Sequence, residues 1–282
     1  MRQALAPHAT RWLADAQALA AEIPDGALLA LPPDYSLVPM EVVRALVRRR
    51  ARALRLLGVP VLGLAADLLI GAGCVAEVDT SAVSLGEAGE APRFRAAVEE
   101  GRLRVRDSTC PMVHTALQAA EKGVPFMPLR GVIGSELVAR REDWRVIANP
   151  FAEGDDPILV ARAIVPDVAL FHARWADAEG NVWVGRRREL ATMAHASARA
   201  LVSVEERHPG NLLADELLAP GTIASVYVAA VAVVPRGAWP LGLPGCYGCD
   251  DAHIAHYARA ALSGEGFARY VEEFVRAPVP AA

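Results

Sequence analysis

The sequence predicts an α/β fold, a doubly wound, mostly parallel open sheet with helices on both faces. Three observations predict it. Short apolar runs alternate with amphipathic stretches of about ten residues, the pattern of strands and crossover helices. Several runs are apolar throughout, as in strands covered on both faces. Hydrophobic residues make up 53% of the chain and charged residues 22%, which fills a core and lies outside the composition of disordered chains. The 282 residues suit one domain spanning 1–282.

Residues 11–23 place Leu13, Ala16, Leu19, Ala20 and Ile23 at helical spacing, so a helix is expected there. Asp25-Gly26 is a turn and 27–31 a short apolar strand. Pro32 and Pro33 end that strand, because each fixes φ and lacks a donor. Pro39 suits the first turn of a helix reaching residue 50. A strand is expected at 54–59, and the apolar segment that ends in Gly71-Ala72-Gly73 reads as a further buried strand. Helices follow at 92–100, stopped by Gly101, and at 111–122, stopped by Gly123, with a strand at 103–107 between them. Residues 124–127, 144–148 and 158–161 read as short strands or loops. A strand at 167–172 precedes Asp177-Ala178-Glu179-Gly180-Asn181, a hairpin-type turn leading into 182–184. Then come a helix at 187–195, a strand at 200–205, a valine-rich central strand at 224–234, and helices at 251–262 and 266–276.

Composition also narrows function. The formal net charge is −4, and the arginine runs at 48–52 and 186–188 read as solvated helix faces, so nucleic acid is not an expected partner. The apolar stretches are too short or too interrupted for a membrane span, which needs about 20 residues, and the first residues lack the apolar core of a secretory signal. Four cysteines in a chain of this length do not make a disulfide framework, and a cytoplasmic location is expected. Cys246-x-x-Cys249 with His253 and His256 raises zinc, but three residues between the halves is tight, and no metal is expected. His172 and His195 read as hydrogen-bonded structural histidines.

Several segments carry a resemblance. Ile23-Pro24-Asp25-Gly26 precedes an apolar strand and a proline loop; Asp67 to Gly73 reads D-L-L-I-G-A-G; Gly86 to Arg95 reads G-E-A-G-E-A-P-R-F-R. Further on come Gly123-Val124-Pro125-Phe126-Met127-Pro128-Leu129-Arg130 with Gly134-Ser135, then His172 with Ala176 to Val182, and a tail from Glu265 to Phe274. Together these resemble the alpha-type subunit of family I coenzyme A transferases, of glutaconate type, and the related steroid ring-opening hydrolases. The resemblance implies a coenzyme A thioester as substrate, no separate cofactor, and a B-type partner subunit or a homo-oligomer.

Two departures shape the expected site. The family's glycine loop after the first strand is replaced by Pro32-Pro33-Asp34-Tyr35-Ser36, which cannot bring backbone N–H groups to an oxyanion in the same way. The catalytic glutamate of the family lies in an S-E-N-G motif on the B-type subunit, where it forms a glutamyl-CoA thioester. No such motif occurs here; Ser135-Glu136-Leu137 is the nearest string. In the ring-opening hydrolases the resemblance places the glutamate where this chain has Thr109-Cys110-Pro111.

The catalytic candidates are therefore Glu87 and Glu90, two carboxylates in a glycine-bearing loop, and Cys110, at a helix start where the dipole favours negative charge. Substrate or coenzyme A contacts are expected from Asp34, Tyr35, Ser36, Gly71, Gly73, Arg130 and Ser135, with Arg130 suited to a carboxylate or phosphate. The leading expectation is an acyl-CoA:carboxylate CoA-transferase subunit whose glutamate comes from a partner. The alternatives are a CoA-thioester hydrolase or ring-opening C–C hydrolase using a glutamate of this chain, and a non-catalytic CoA-ester-binding paralogue.

Overall fold

The computed structural model of the chain describes residues 9–276. Its strands and helices alternate from the start: β1 (Arg11–Leu13), α1 (Ala16–Ala21), β2 (Leu28–Leu31), α2 (Met40–Arg48), β3 (Leu54–Gly58), α3 (Leu64–Gly71), β4 (Val75–Thr80), α4 (Pro92–Glu99), β5 (Arg104–Asp107) and α5 (Cys110–Glu121). A second stretch adds β6 (Phe126–Leu129), α6 (Glu136–Arg140), β7 (Trp144–Ala148) and β8 (Pro157–Arg162). The rest comprises β9 (Val168–Ala176), β10 (Val182–Trp183), α7 (Arg188–Ala196), β11 (Ala200–Arg207), β12 (Thr222–Ile223), β13 (Val228–Val233), α8 (Asp251–Ala260) and α9 (Gly264–Val271).

The main sheet runs β1-β13-β11-β9-β2-β3-β4-β5, and every neighbouring pair along it is parallel. This is the predicted doubly wound sheet. Alternation along each strand separates two cores. Leu29, Leu31, Leu56, Val168 and Leu170 pack against α1, α2, α3, α8 and α9. Ala30, Leu57, Ala169, Phe171 and Val202 point the other way, onto α5 and α7. The strands expected near 126, 144 and 158 form a separate antiparallel sheet, β6-β8-β7, with its own small core around Met112, Trp144 and Leu159.

Three segments differ from the sequence reading. Arg11–Leu13 is an edge strand paired to β13, and the helix starts only after Asp15, whose side chain accepts from the N–H of Ala18 at 2.8 Å. The apolar stretch before Gly71 is the helix α3, not a strand; all residues from Leu64 to Ile70 are buried, so no polar face reveals its period. Val75–Thr80, not anticipated, is a strand between β3 and β5. The valine-rich segment is second from the edge, because β1 lies outside it.

The order of strands reverses between β2 and β9. From β2 the chain moves outward through β3, β4 and β5; from β9 it moves the other way through β11 and β13. In such sheets the ligand crevice opens beyond the carboxyl ends at that reversal.

Candidate active site

The loop after β2 stands at the reversal. Its Asp34 turns inward: one carboxylate oxygen accepts from the N–H of Leu64, at the start of α3, at 2.8 Å. Gly63 makes room, since a Cβ there would sit 2.1 Å from that oxygen. The other oxygen is enclosed and unpartnered, although the residue as a whole is partly exposed. Burial, helped by the charge of Asp67 and opposed by the Leu64 N–H, pushes the carboxyl up to about 6. Asp67 is buried in α3, accepts from the N–H of Phe94 and from the Tyr257 hydroxyl at 2.7 Å each, and is likewise pushed up to about 6 by burial.

Tyr35 and Ser36, next in the loop, face opposite ways. Tyr35 is 61% exposed, while Ser36 is buried. The Ser36 hydroxyl donates to Glu189, in the first turn of α7, at 2.5 Å. Burial raises the Tyr35 phenol, and the charges of Glu189 and Cys110 add to it against Arg187, whose guanidinium lies 5.8 Å over the ring. His114, one turn into α5, also feels Glu189, but burial dominates and lowers its pKa. Cys110 begins α5 beyond the carboxyl end of β5, is exposed, and shares a hydrogen bond of 3.3 Å with Ser81, which follows β4. A thiol, three hydroxyls, an imidazole, a guanidinium and a carboxylate thus gather at the carboxyl ends of β2, β4 and β5. Sequence reading supplied Tyr35, Ser36 and Cys110. It missed Glu189, Arg187, His114 and Ser81, whose only signal was a place near a helix start or a strand end.

The remaining candidates lie elsewhere. Glu87 is exposed in a single 3-10 turn, Gly86–Ala88, beyond β4. Glu90 is exposed and paired with Arg95 at 2.7 Å, beside a groove between α4 and α8. Arg130 is held by both oxygens of Asp156 at 2.5 and 2.6 Å, and Ser135 donates to the carbonyl of Val132. Gly71 and Gly73 end α3 and lead into β4, so they stand at the amino end of the sheet, away from the crevice. A Cβ on Gly71 would meet Arg93 and Phe267 at 2.6 Å, which makes it a site of close helix packing.

His172 is buried at the centre of a polar network. Its ring nitrogens bond Ser203 and Glu205 at 2.8 Å each; Glu205 also accepts from the Tyr247 hydroxyl and the N–H of Arg236. His195 bonds Glu121 at 3.1 Å. Near Cys246, the fold sends the ligands apart: Cys249 accepts from the N–H of Gly242, and His253 bonds Tyr270. Burial and the charge of Arg44 push His253 down to about 4. Among the described residues, no three of His, Cys, Asp and Glu gather closely enough to hold a metal ion. No helix among them is long and apolar enough to cross a membrane.

Comparison with known proteins agrees with this geometry. The Coenzyme A transferase family model matches residues 14–230. The A-type chain of 3-oxoadipate CoA-transferase from Pseudomonas knackmussii is 29% identical, over 89% of each protein. A cholesterol ring-cleaving hydrolase IpdA subunit of Rhodococcus jostii is 30% identical, over 84% of this chain and 82% of the relative. The chain spans only 53% of an uncharacterized Archaeoglobus fulgidus protein that is 30% identical to it. Among solved structures, the decarboxylase AibA/AibB superposes with a TM-score of 0.82 at 31% identity, covering 94% of this chain and 98% of that one. Glutaconate coenzyme A-transferase from Acidaminococcus fermentans superposes with a TM-score of 0.85 over 94% of this chain and 89% of that one; at 23% identity this speaks for the fold. The expectation drawn from the motifs is met over most of the chain, which belongs to the coenzyme A transferase family.

Proposed function

We propose that the chain is the A-type subunit of an acyl-CoA:carboxylate CoA-transferase, working with a B-type subunit that supplies the nucleophilic glutamate. The observation that carries this reading is the half-built character of the site. Ser36, Glu189, Ser81 and Cys110 line the floor at the strand ends, yet Tyr35 and Cys110 stand open to solvent on the outward side. A thioester must be shielded from water for transfer to outrun hydrolysis, so a second protein surface has to close over this floor. The carboxylate within reach on this chain, Glu189, is held by Ser36. That arrangement suits it to orient or take a proton rather than to attack. The test is incubation with an acyl-CoA, borohydride trapping and peptide mapping, on the chain alone and with its co-purified partner. A glutamyl adduct on the partner is expected. An adduct on this chain, abolished by the matching glutamine substitution, overturns the division of labour.

The Ser36–Glu189 pair also favours a second reading, cleavage of a CoA thioester or of a carbon–carbon bond by water that Glu189 activates. Turnover without any trapped adduct, and lost in Glu189→Gln, selects that reading. The compartment proposed is the cytoplasm, where coenzyme A thioesters are met in solution.

A further inference from the structure

A second cavity adjoins the floor described above. It encloses about 400 Å3 and is walled by Leu37, Trp183, Val184 and Leu243. Leu37 follows Ser36 in the chain, and Arg187 lines the cavity while its guanidinium overlies Tyr35, so cavity and floor are continuous. Three arginines line it, Arg174, Arg186 and Arg187, and no aspartate or glutamate does.

These arginines differ from most others in the chain. Arg130 and Arg141 are taken up by carboxylates. Among the described residues no ion pair within 4 Å reaches Arg174, Arg186 or Arg187. The nearest acids are engaged: Glu206 accepts from the Trp175 indole, Glu205 is filled by His172, Tyr247 and the Arg236 N–H, and Glu189 accepts from Ser36. Arg174 stacks over Trp175 at 4.1 Å, which fixes its plane, and its Nε is buried without a partner. An oriented guanidinium with an unfilled donor at an apolar cavity is built for a planar anion that enters attached to a hydrocarbon body. Inorganic phosphate or a nucleotide would gain nothing from the leucine, valine and tryptophan walls.

We propose that this cavity selects acyl groups bearing a second, free carboxylate remote from the thioester, and that Arg174 is the residue that reads it, with Arg187 beside it. This rests on the thioester reading for its meaning, but its test does not. The probes are adipate and hexanoate, of equal length and differing by one carboxylate, titrated calorimetrically into the full chain with any co-purified partner. Adipate is expected to bind at least tenfold tighter, since a charged hydrogen-bonded pair contributes roughly 10- to 100-fold. Arg174→Met should remove that preference and leave hexanoate unchanged; Arg174→Lys should restore part of it. Should Arg174→Met not fold by circular dichroism, Arg187→Met read in the same way takes its place and should weaken adipate alone.

Equal binding of the two acids, binding of neither, or a diacid preference indifferent to both methionine variants overturns the proposal. Displacement of adipate by adenosine 3′,5′-bisphosphate would show that the arginines read a phosphate, and overturns it too. A diacid preference in a protein with no CoA exchange and no trapped adduct sinks the transferase reading and leaves the cavity assignment standing. CoA exchange on monocarboxylates with no diacid preference does the reverse.

Discussion

Replacing Asp67 by asparagine probes two carboxyls that the fold keeps out of water. Asp67 and Asp34 both sit at about 6 in the folded chain, against 3.8 for a free side chain, with burial the main cause. The proton is therefore held more tightly in the folded state. The stabilisation it brings is complete below about pH 3.8 and is lost as pH rises through 6. Each unit corresponds to 1.36 kcal/mol, so each carboxyl accounts for on the order of 3 kcal/mol between those limits. Asparagine has the same shape and carries no charge to desolvate. It can still accept from the Phe94 N–H, and its amide can donate to the Tyr257 oxygen in place of the hydroxyl that now donates to Asp67. Removing the Asp67 charge also relieves Asp34, whose carboxyl that charge raises.

The assay is urea unfolding of both proteins from pH 4.5 to 8, read as the difference between them. The difference is the right quantity because Asp143, Asp156 and Glu205, all held below their ordinary range, add stability as pH rises in both proteins. Relative to wild type, the variant should gain about 2–3 kcal/mol across the window and be at least as stable at pH 8. A difference flat with pH, or a variant that grows weaker as pH rises, would show Asp67 to be ionised and held by the fold, and the reasoning would be wrong.

Other outcomes are expected. Arg141 is buried, pairs with Asp79 and Asp143 at 2.9 Å, and donates to the carbonyl of Asp107; Arg141→Ala strands the buried Asp79 and should lower unfolding free energy by about 3–5 kcal/mol in urea titrations. Gly63→Ala pushes a methyl onto the Asp34 carboxylate and should cost about 1–3 kcal/mol by the same measurement. Glu189→Gln should lower turnover about 100-fold or more in a CoA-exchange or thioester-cleavage assay while leaving the melting temperature near wild type. Protein prepared without chelator should carry no stoichiometric zinc by elemental analysis; one zinc per chain, lost on replacing Cys246 and Cys249 by serine, would contradict the geometry around them.

The fold was legible where burial leaves a period or a stop signal. Gly101 and Gly123 both take positive φ just past α4 and α5, the conformation that made them readable as helix ends. Legibility failed where burial erases the pattern. In α3 even Asp67 is enclosed, so an eight-residue helix and a buried strand look alike in sequence. The three residues of β1 are assigned by their partner β13, more than two hundred positions away, which no local signal reports.

The site shows the same limit, with one instructive exception. Ser36 and Glu189 are 153 residues apart, and Ser81 and Cys110 are 29 apart; nothing in either neighbourhood announces the other. Arg130 was chosen because it follows a strand and precedes a glycine, yet Asp156 supplies both oxygens its fork can take. Position relative to a strand end says where a side chain starts, and only the fold says which charges reach it. The exception is the loop after β2. Its prolines and Asp34 mark a departure from a glycine loop, and the departure is real but does not place a negative charge in the crevice. Asp34 instead caps α3 through Leu64, and that inward turn leaves Tyr35 exposed at the crevice and Ser36 beneath it, bonded to Glu189. The chain has therefore exchanged a backbone-lined floor for one lined by side chains. Chemistry at that floor must then depend on hydroxyl and carboxylate protonation, with His114 and Tyr35 close enough to feel the same charge. A floor of backbone amides would carry no such dependence, because amides do not titrate in this range.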